Sequence, residues 1–283
     1  MSLPWLRAVT QFLPRGSPLR AGAEFLGAVA AGAEEAAHGI VTITDVEEVI
    51  YLDDSGSMHG SRLMKAQALW QQMAKSLQES PARVIKFGTH KHVLQSRTTG
   101  FPVSAISLGW NAQSGATYMW HMILEDIKAC YAPGPGRLRV FVFTDGHDTH
   151  SPEPYAGMKG MDALMKELIS LGYNVEFHIV FVSDAGDDIM GLASTVLGSG
   201  TYVKDREAML ARYQDLALAT GGGFFHLTGA SSEEDAREAF LERIDSGSRS
   251  DVAAARREYE RRLESGQGTN FDWYKALPPP PKG

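Results

Sequence analysis

Cysteine is almost missing: Cys130 is the single one in 283 residues. One thiol cannot close an internal disulfide or build a CxxC metal site. In its apolar helical surroundings Cys130 reads as a buried, inert thiol. No apolar run approaches the ~20 residues that span a bilayer. Basic residues form no stripe and the net charge is -7, which argues against a general nucleic-acid binder. The strings GxxxxGK followed by Ser or Thr, HExxH and GxSxG do not occur. P-loop nucleotide binding, zinc proteolysis and serine hydrolysis therefore lack support. Acids are missing from Met1 to Ala23, where Arg7, Arg15 and Arg20 stand. Such a leader reads as an organelle transit peptide or as a plain basic leader, while Pro4, Arg7 and Pro14 break up any secretory segment. The scarce cysteine and the lack of a secretory signal point to an intracellular, cytoplasmic setting, with organelle targeting as the alternative.

Hydrophobic residues make up 43% and charged residues 22%, enough for a normal buried core. Ser17-Pro18 has the form of a helix start, and an Ala-rich helix is expected from there to His38. From Val46 the chain alternates strands and helices. Strands are expected at Glu47–Leu52, Ala82–Phe87, His92–Ser96, Leu138–Phe143, Val175–Val182 and Phe224–Thr228. Helical spacing marks Ser61–Glu79, Tyr118–Tyr131, Met161–Leu171, Arg206–Ala219 and Ser232–Ile244. Strands apolar on both faces, separated by helices, imply a mostly parallel sheet covered on both sides. The domain is expected over 46–244. An N-terminal extension (1–45) precedes it, and a linker, a charged helix at Val252–Glu264 and a free polyproline tail at Leu277–Pro281 follow (245–283).

Parallel α/β sheets place their sites at the carboxyl ends of strands, where strand order reverses. Asp53, Ser55 and Ser57 follow the first strand of this domain at alternate positions, so their side chains can converge. Asp145, in "TDG", follows "VFVF" directly. Thr117, in "SGATYMW", precedes a helix. Two carboxylates and three hydroxyls, with no imidazole or thiolate, suit a hard cation, Mg²⁺ or Mn²⁺, in near-octahedral geometry.

Asp53-Asp54-Ser55-Gly56-Ser57, then Thr117, then Thr144-Asp145-Gly146, resemble the metal-ion-dependent adhesion site of the von Willebrand factor type A domain family. The resemblance covers 46–244, including a "TGGGFFHLT" stretch similar to the family's last core strand. It implies a Rossmann-like three-layer α/β sandwich with strand order 3-2-1-4-5-6. It implies that Ser55, Ser57 and Thr117 ligate the metal directly, and Asp53 and Asp145 directly or through water. Ala116 stands where a glycine is often found. The resemblance also implies a binding module rather than an enzyme, in which an Asp or Glu of a protein partner completes the metal shell, and a last helix, here Ser232–Ile244, that responds to it.

Two other classes stay open on the residues alone. A Mg²⁺-dependent phosphohydrolase could draw a base from Asp54, His59, His147, Asp148 or His150, and His147 with His150 could hold zinc. An architectural subunit would explain the two extensions. His59, Trp110, Tyr118 and His147 are candidates for a partner-facing rim, because aromatics concentrate in binding hot spots; Trp110 and Tyr118 could equally be core residues.

Overall fold

The computed structural model describes residues 39–76, 82–98, 106, 109–146, 148–184, 201–228, 238 and 252–279. The helices expected at Ser17–His38 and, apart from Glu238, at Ser232–Ile244 lie outside them. Eight strands are described: β1 (Val41–Thr42), β2 (Val46–Asp53), β3 (Ala82–Phe87), β4 (His92–Thr98), β5 (Tyr131–Ala132), β6 (Arg137–Thr144), β7 (Val175–Val182) and β8 (Phe224–Leu227). Five α-helices accompany them: α1 (Ser61–Ser76), α2 (Trp120–Cys130), α3 (Lys159–Ser170), α4 (Thr201–Thr220) and α5 (Val252–Glu264).

The main sheet has the order β4-β3-β2-β6-β7-β8. All neighbours are parallel except the edge pair β3 and β4. Numbering these six strands along the chain gives 3-2-1-4-5-6, so the order reverses between β2 and β6. This is the expected doubly wound α/β fold.

Alternation along β2 explains the layers. Val49 and Tyr51 point to one face, Ile50 and Leu52 to the other, and all four are fully buried. The Ile50–Leu52 face, with Phe141, Phe143 and Val180, meets Ala66, Leu69, Trp70 and Met73 on one stripe of α1. The Val49–Tyr51 face, with Val140, Val142 and Ile179, packs against Ile123 and Ile127 of α2, Leu164 and Leu168 of α3, and Tyr213 and Leu216 of α4. Each Val, Leu, Ile, Phe or Met among them contributes about 1.5–3 kcal/mol by leaving water.

The folded unit is longer than 46–244 at both ends. At the start, β1 pairs in parallel with β5, and Ile43 is buried in the main core. Gly136 lies so close to Asp45 that a Cβ there would sit 2.1 Å from its carbonyl oxygen, so β6 is entered through a contact only glycine permits. At the end, α5 packs on α4, and Tyr259, Phe271, Trp273 and Leu277 join the sheet's core. Arg262 Nη1 lies 3.0 Å from the buried Asp215 Oδ1, and the Trp273 indole N–H donates to Asp162 Oδ1 at 3.1 Å. The free tail expected from Leu277 is corrected here: Leu277 is buried, and Arg256 donates to the Pro278 carbonyl.

A charged row crosses the amino-terminal half of the sheet. Glu48, Arg139 and Glu176 are register partners on β2, β6 and β7. Arg139 reaches both acids at 3.1 Å, and Arg137 donates to Glu176 Oε2 at 2.7 Å. The His178 ring accepts the Gly223 N–H at Nδ1, so Nε2 carries the proton and donates to Glu176 Oε1 at 2.7 Å. Burial pushes the Glu176 carboxyl up, but the His178 hydrogen bond and the two guanidiniums outweigh it and hold the value at about 2. A carboxylate held below its unfolded value near 4.5 stabilises the fold above that pH. The stabilisation drains away as pH falls toward 2, and amounts to about 3 kcal/mol. Urea unfolding of the Glu176→Gln variant is expected to show lower stability at pH 7 and a flatter pH dependence between 5 and 2 than the parent.

Candidate metal centre

The carboxyl ends of β2 and β6, on either side of the reversal point, carry Asp53 and Asp145. Asp53 is the last residue of β2 and is 1% exposed. Its Oδ1 accepts the Ser55 N–H at 2.9 Å, and its Oδ2 accepts the Thr144 hydroxyl at 2.7 Å. A tight 3-10 turn at Gly56–Met58 then brings the serines round. Ser55 Oγ and Ser57 Oγ are 3.0 Å apart, and Ser57 Oγ donates to Asp145 Oδ1 at 2.9 Å. Burial first, and then the Asp145 charge, push the Asp53 carboxyl up to about 7 against the pull of its two hydrogen bonds.

Those spacings are a test of fit. Two oxygens bound at right angles to an ion, each ~2.1 Å from it, are ~3.0 Å apart, which is the edge of an octahedral magnesium shell. Ser55 Oγ, Ser57 Oγ and Asp145 Oδ1 stand in succession at 3.0 and 2.9 Å, hydrogen-bond distances that an octahedral shell would also accept. Both oxygens of Asp53 accept hydrogen bonds, one from the serine loop and one from Thr144 of β6, so it also ties that loop to the sheet. Among the described residues no three His, Cys, Asp or Glu side chains gather as a metal group. The donor set here is hydroxyl-rich, with two acids.

Thr117 arrives on a loop stitched to the serine turn. Ser55 and Ser114 form an isolated parallel bridge, Gly56 N–H donates to the Ser114 carbonyl at 2.7 Å, and Ser114 N–H donates to the Asp54 carbonyl at 2.8 Å. The loop lies hard on Gly88: a Cβ there would fall 2.2 Å from the Ser114 side chain. Thr117 is buried, and its carbonyl accepts the N–H groups of Thr149 and His150. Among the described residues its hydroxyl makes no hydrogen bond to the other four candidate ligands.

The neighbouring polar residues separate into holders and rim. Asp54 points away from the site: Oδ1 accepts the Asn111 and Ala112 N–H groups, and Oδ2 pairs with Lys86 at 3.1 Å. Asp148 is occupied as well. Its Oδ2 accepts the Met119 and Trp120 N–H groups at the start of α2, and its Oδ1 accepts those of His150 and Ser151. It caps a helix 28 residues away in sequence, which no local capping signal reveals. Trp110 is corrected from rim to core: it is 1% exposed, edge-on to Phe143, and its indole N–H donates to the Asp53 carbonyl at 2.6 Å. Tyr118 is half-buried, with its ring 5.7 Å from that of the exposed His150. His59 is exposed beside the serine turn. His147 lies outside the described residues.

One residue was not anticipated. Arg62, in the first turn of α1, donates from Nη1 to Asp145 Oδ2 at 2.7 Å and to the Ser57 carbonyl at 2.8 Å. The signal was present in the sequence: a cation in a helix's first turn opposes the macrodipole and needs an acid nearby.

No protein-family model matches the chain, and no curated protein does. Solved structures that resemble it include the conserved hypothetical protein BatB from Bacteroides thetaiotaomicron, at 17% identity and TM-score 0.48, covering 71% of this chain and 98% of that one. An aerotolerance-related membrane protein from Bacteroides fragilis matches at 17% identity and TM-score 0.45, covering 71% and 99%. Proximal thread matrix protein 1 from the mussel byssus, with a zinc-occupied MIDAS motif, matches at 11% identity and TM-score 0.45, covering 80% and 52%. No helix among the described residues is long and apolar enough to cross a membrane.

Proposed function

We propose that the chain is a metal-dependent protein-binding module of the von Willebrand factor type A kind. Ser55, Ser57, Thr117 and Asp145 hold a magnesium or manganese ion, with Asp53 behind them, and an Asp or Glu of a protein partner completes the shell. The bound ion would supply a concentrated positive charge and a coordination position for that carboxylate. The observation that supports this reading is the convergence of the Ser55, Ser57 and Asp145 oxygens, 3.0 and 2.9 Å apart in succession, brought together from the ends of two strands. His59, Tyr118 and His150 stand where a partner would rest. An intracellular setting belongs to the same proposal and rests on the scarcity of cysteine.

The phosphohydrolase alternative needs a base beside the ion. Asp148 spends both oxygens on four backbone N–H groups, and Asp54 is held by two N–H groups and Lys86, so neither is poised for proton transfer and the exposed His59 and His150 are left as the described candidates for that base. The architectural alternative leaned on projecting extensions, and the C-terminal one folds back into the core.

Manganese titration followed by electron paramagnetic resonance tests the reading. The expected result is one bound ion per chain, released by excess magnesium. Absence of binding up to about 10 mM, far above the range of a functional site, overturns it. Magnesium-dependent turnover of phosphoesters, lost in Asp53→Ala, would replace it with the enzyme reading.

A further inference from the structure

Arg62 occupies an awkward place. It lies in the first turn of α1, where the exposed N–H groups of the helix repel a cation. That turn carries no acid. Two acids from the ends of adjacent strands compensate. Asp145, just past β6, accepts from Nη1 at 2.7 Å, and Asp184, two residues past β7, has Oδ2 at 3.7 Å from Nε. Asp184 is itself steadied by the Ser61 hydroxyl at 3.3 Å. The guanidinium therefore lies between a proposed metal ligand and a second carboxylate outside the ligand set. Asp145 is divided in the same way: Oδ1 faces Ser57 Oγ, and Oδ2 faces Arg62.

We infer that Arg62 is a tethered counter-cation of this site: it neutralises Asp145 when no divalent ion is bound, and yields toward Asp184 when one is. The inference rests on the metal-module reading above and adds a regulation to it. An ion taken up at Asp145 Oδ1 would share one carboxylate with the guanidinium, two cations well inside the Debye length of about 8 Å. Arg62 thus lowers metal affinity and keeps the two site carboxylates tolerable without metal. Because its second perch is Asp184, metal occupancy is tied to the segment that leaves β7. Any partner that engages Asp184 would then change metal affinity, and the coupling would run equally in the other direction.

Calorimetric titration of the full chain with magnesium chloride tests this in four proteins: the parent, Arg62→Gln, Asp184→Asn and the double variant. Arg62→Gln is expected to bind magnesium about tenfold more tightly, the size of a modest electrostatic coupling. Asp184→Asn is expected to bind about threefold more weakly in the parent background, and to have no effect once Arg62 is gone. Thermal unfolding supplies a readout that a merely structural role would not move. In chelator Arg62→Gln should melt below the parent; in saturating magnesium the gap should close or reverse. Arg62→Lys, which keeps the charge but not the fork, should bind like the parent. If the parent binds magnesium and Arg62→Gln binds equally or more weakly, Arg62 only positions Asp145, and the counter-cation inference fails while the metal module stands. An equal melting deficit with and without magnesium likewise refutes it. If neither protein binds, both readings fall.

Discussion

Asp145→Ala is expected to lower magnesium affinity more than a hundredfold and to abolish chelator-sensitive capture of a protein partner, while the fold survives. Loss of a mere supporting neighbour at a metal site already costs 10–100-fold, and Asp145 supplies one of only two negative charges in the proposed set. Its removal also breaks the hydrogen bond that fixes Ser57 Oγ at 2.9 Å, so the serine turn loses its aim. Stability should change little, because Arg62 is left beside Asp184 and near water rather than stranded in the core. Asp145→Asn keeps the shape and still accepts from Ser57, so it separates charge from geometry; it should bind more weakly than the parent and better than Asp145→Ala. Calorimetry for affinity and thermal unfolding for fold integrity check both. The adjacent acid gives the contrast. Asp54 holds the Asn111–Ala112 turn and Lys86, so Asp54→Ala should cost stability first and metal affinity only as a consequence.

A chain ending at residue 251 is expected to lose cooperative folding. Truncation strips Val252, Tyr259, Phe271, Trp273 and Leu277 from the core. At about 1.5–3 kcal/mol each this approaches ~10 kcal/mol, within the 5–15 kcal/mol that is the entire net stability of a typical domain. It also leaves Asp215, fully buried, without Arg262 and without the Thr269 N–H that donates to it, and an unpaired buried charge is costly by itself. Circular dichroism melting should show a broad, weak transition, and a dye that binds exposed apolar surface should fluoresce at room temperature. A sharp transition within a few degrees of the full chain's would refute the claim. Binding experiments on 46–244 alone would for this reason say little about the intact protein.

The strands and helices that position the site were legible because their signals are local. Apolar runs such as Val175–Val182 could be read as buried strands to the residue, and the stripe through Ala66, Leu69, Trp70 and Met73 marked one face of α1. Helix ends were less legible. The start of α2 at Trp120 rather than Tyr118 depends on Asp148, which caps it from another loop. The charged surface of α5 concealed its role, since only Val252 and Tyr259 among its apolar residues larger than alanine reach full burial, and Tyr259 does so against α4 and Phe271.

By itself the sequence determined the alternation of buried strands with helices and which oxygen-bearing residues stand at the strands' carboxyl ends, because strand alternation and apolar runs are properties of neighbouring residues; the order of the strands was implied only by the family resemblance. Only the tertiary structure decided that Asp54 braces a loop, that Trp110 is buried against the Asp53 carbonyl, and that Arg62 shares Asp145. Those assignments depend on contacts between segments dozens of residues apart. Such contacts arise from the packing of the whole chain around one sheet, and no short stretch of sequence carries their record.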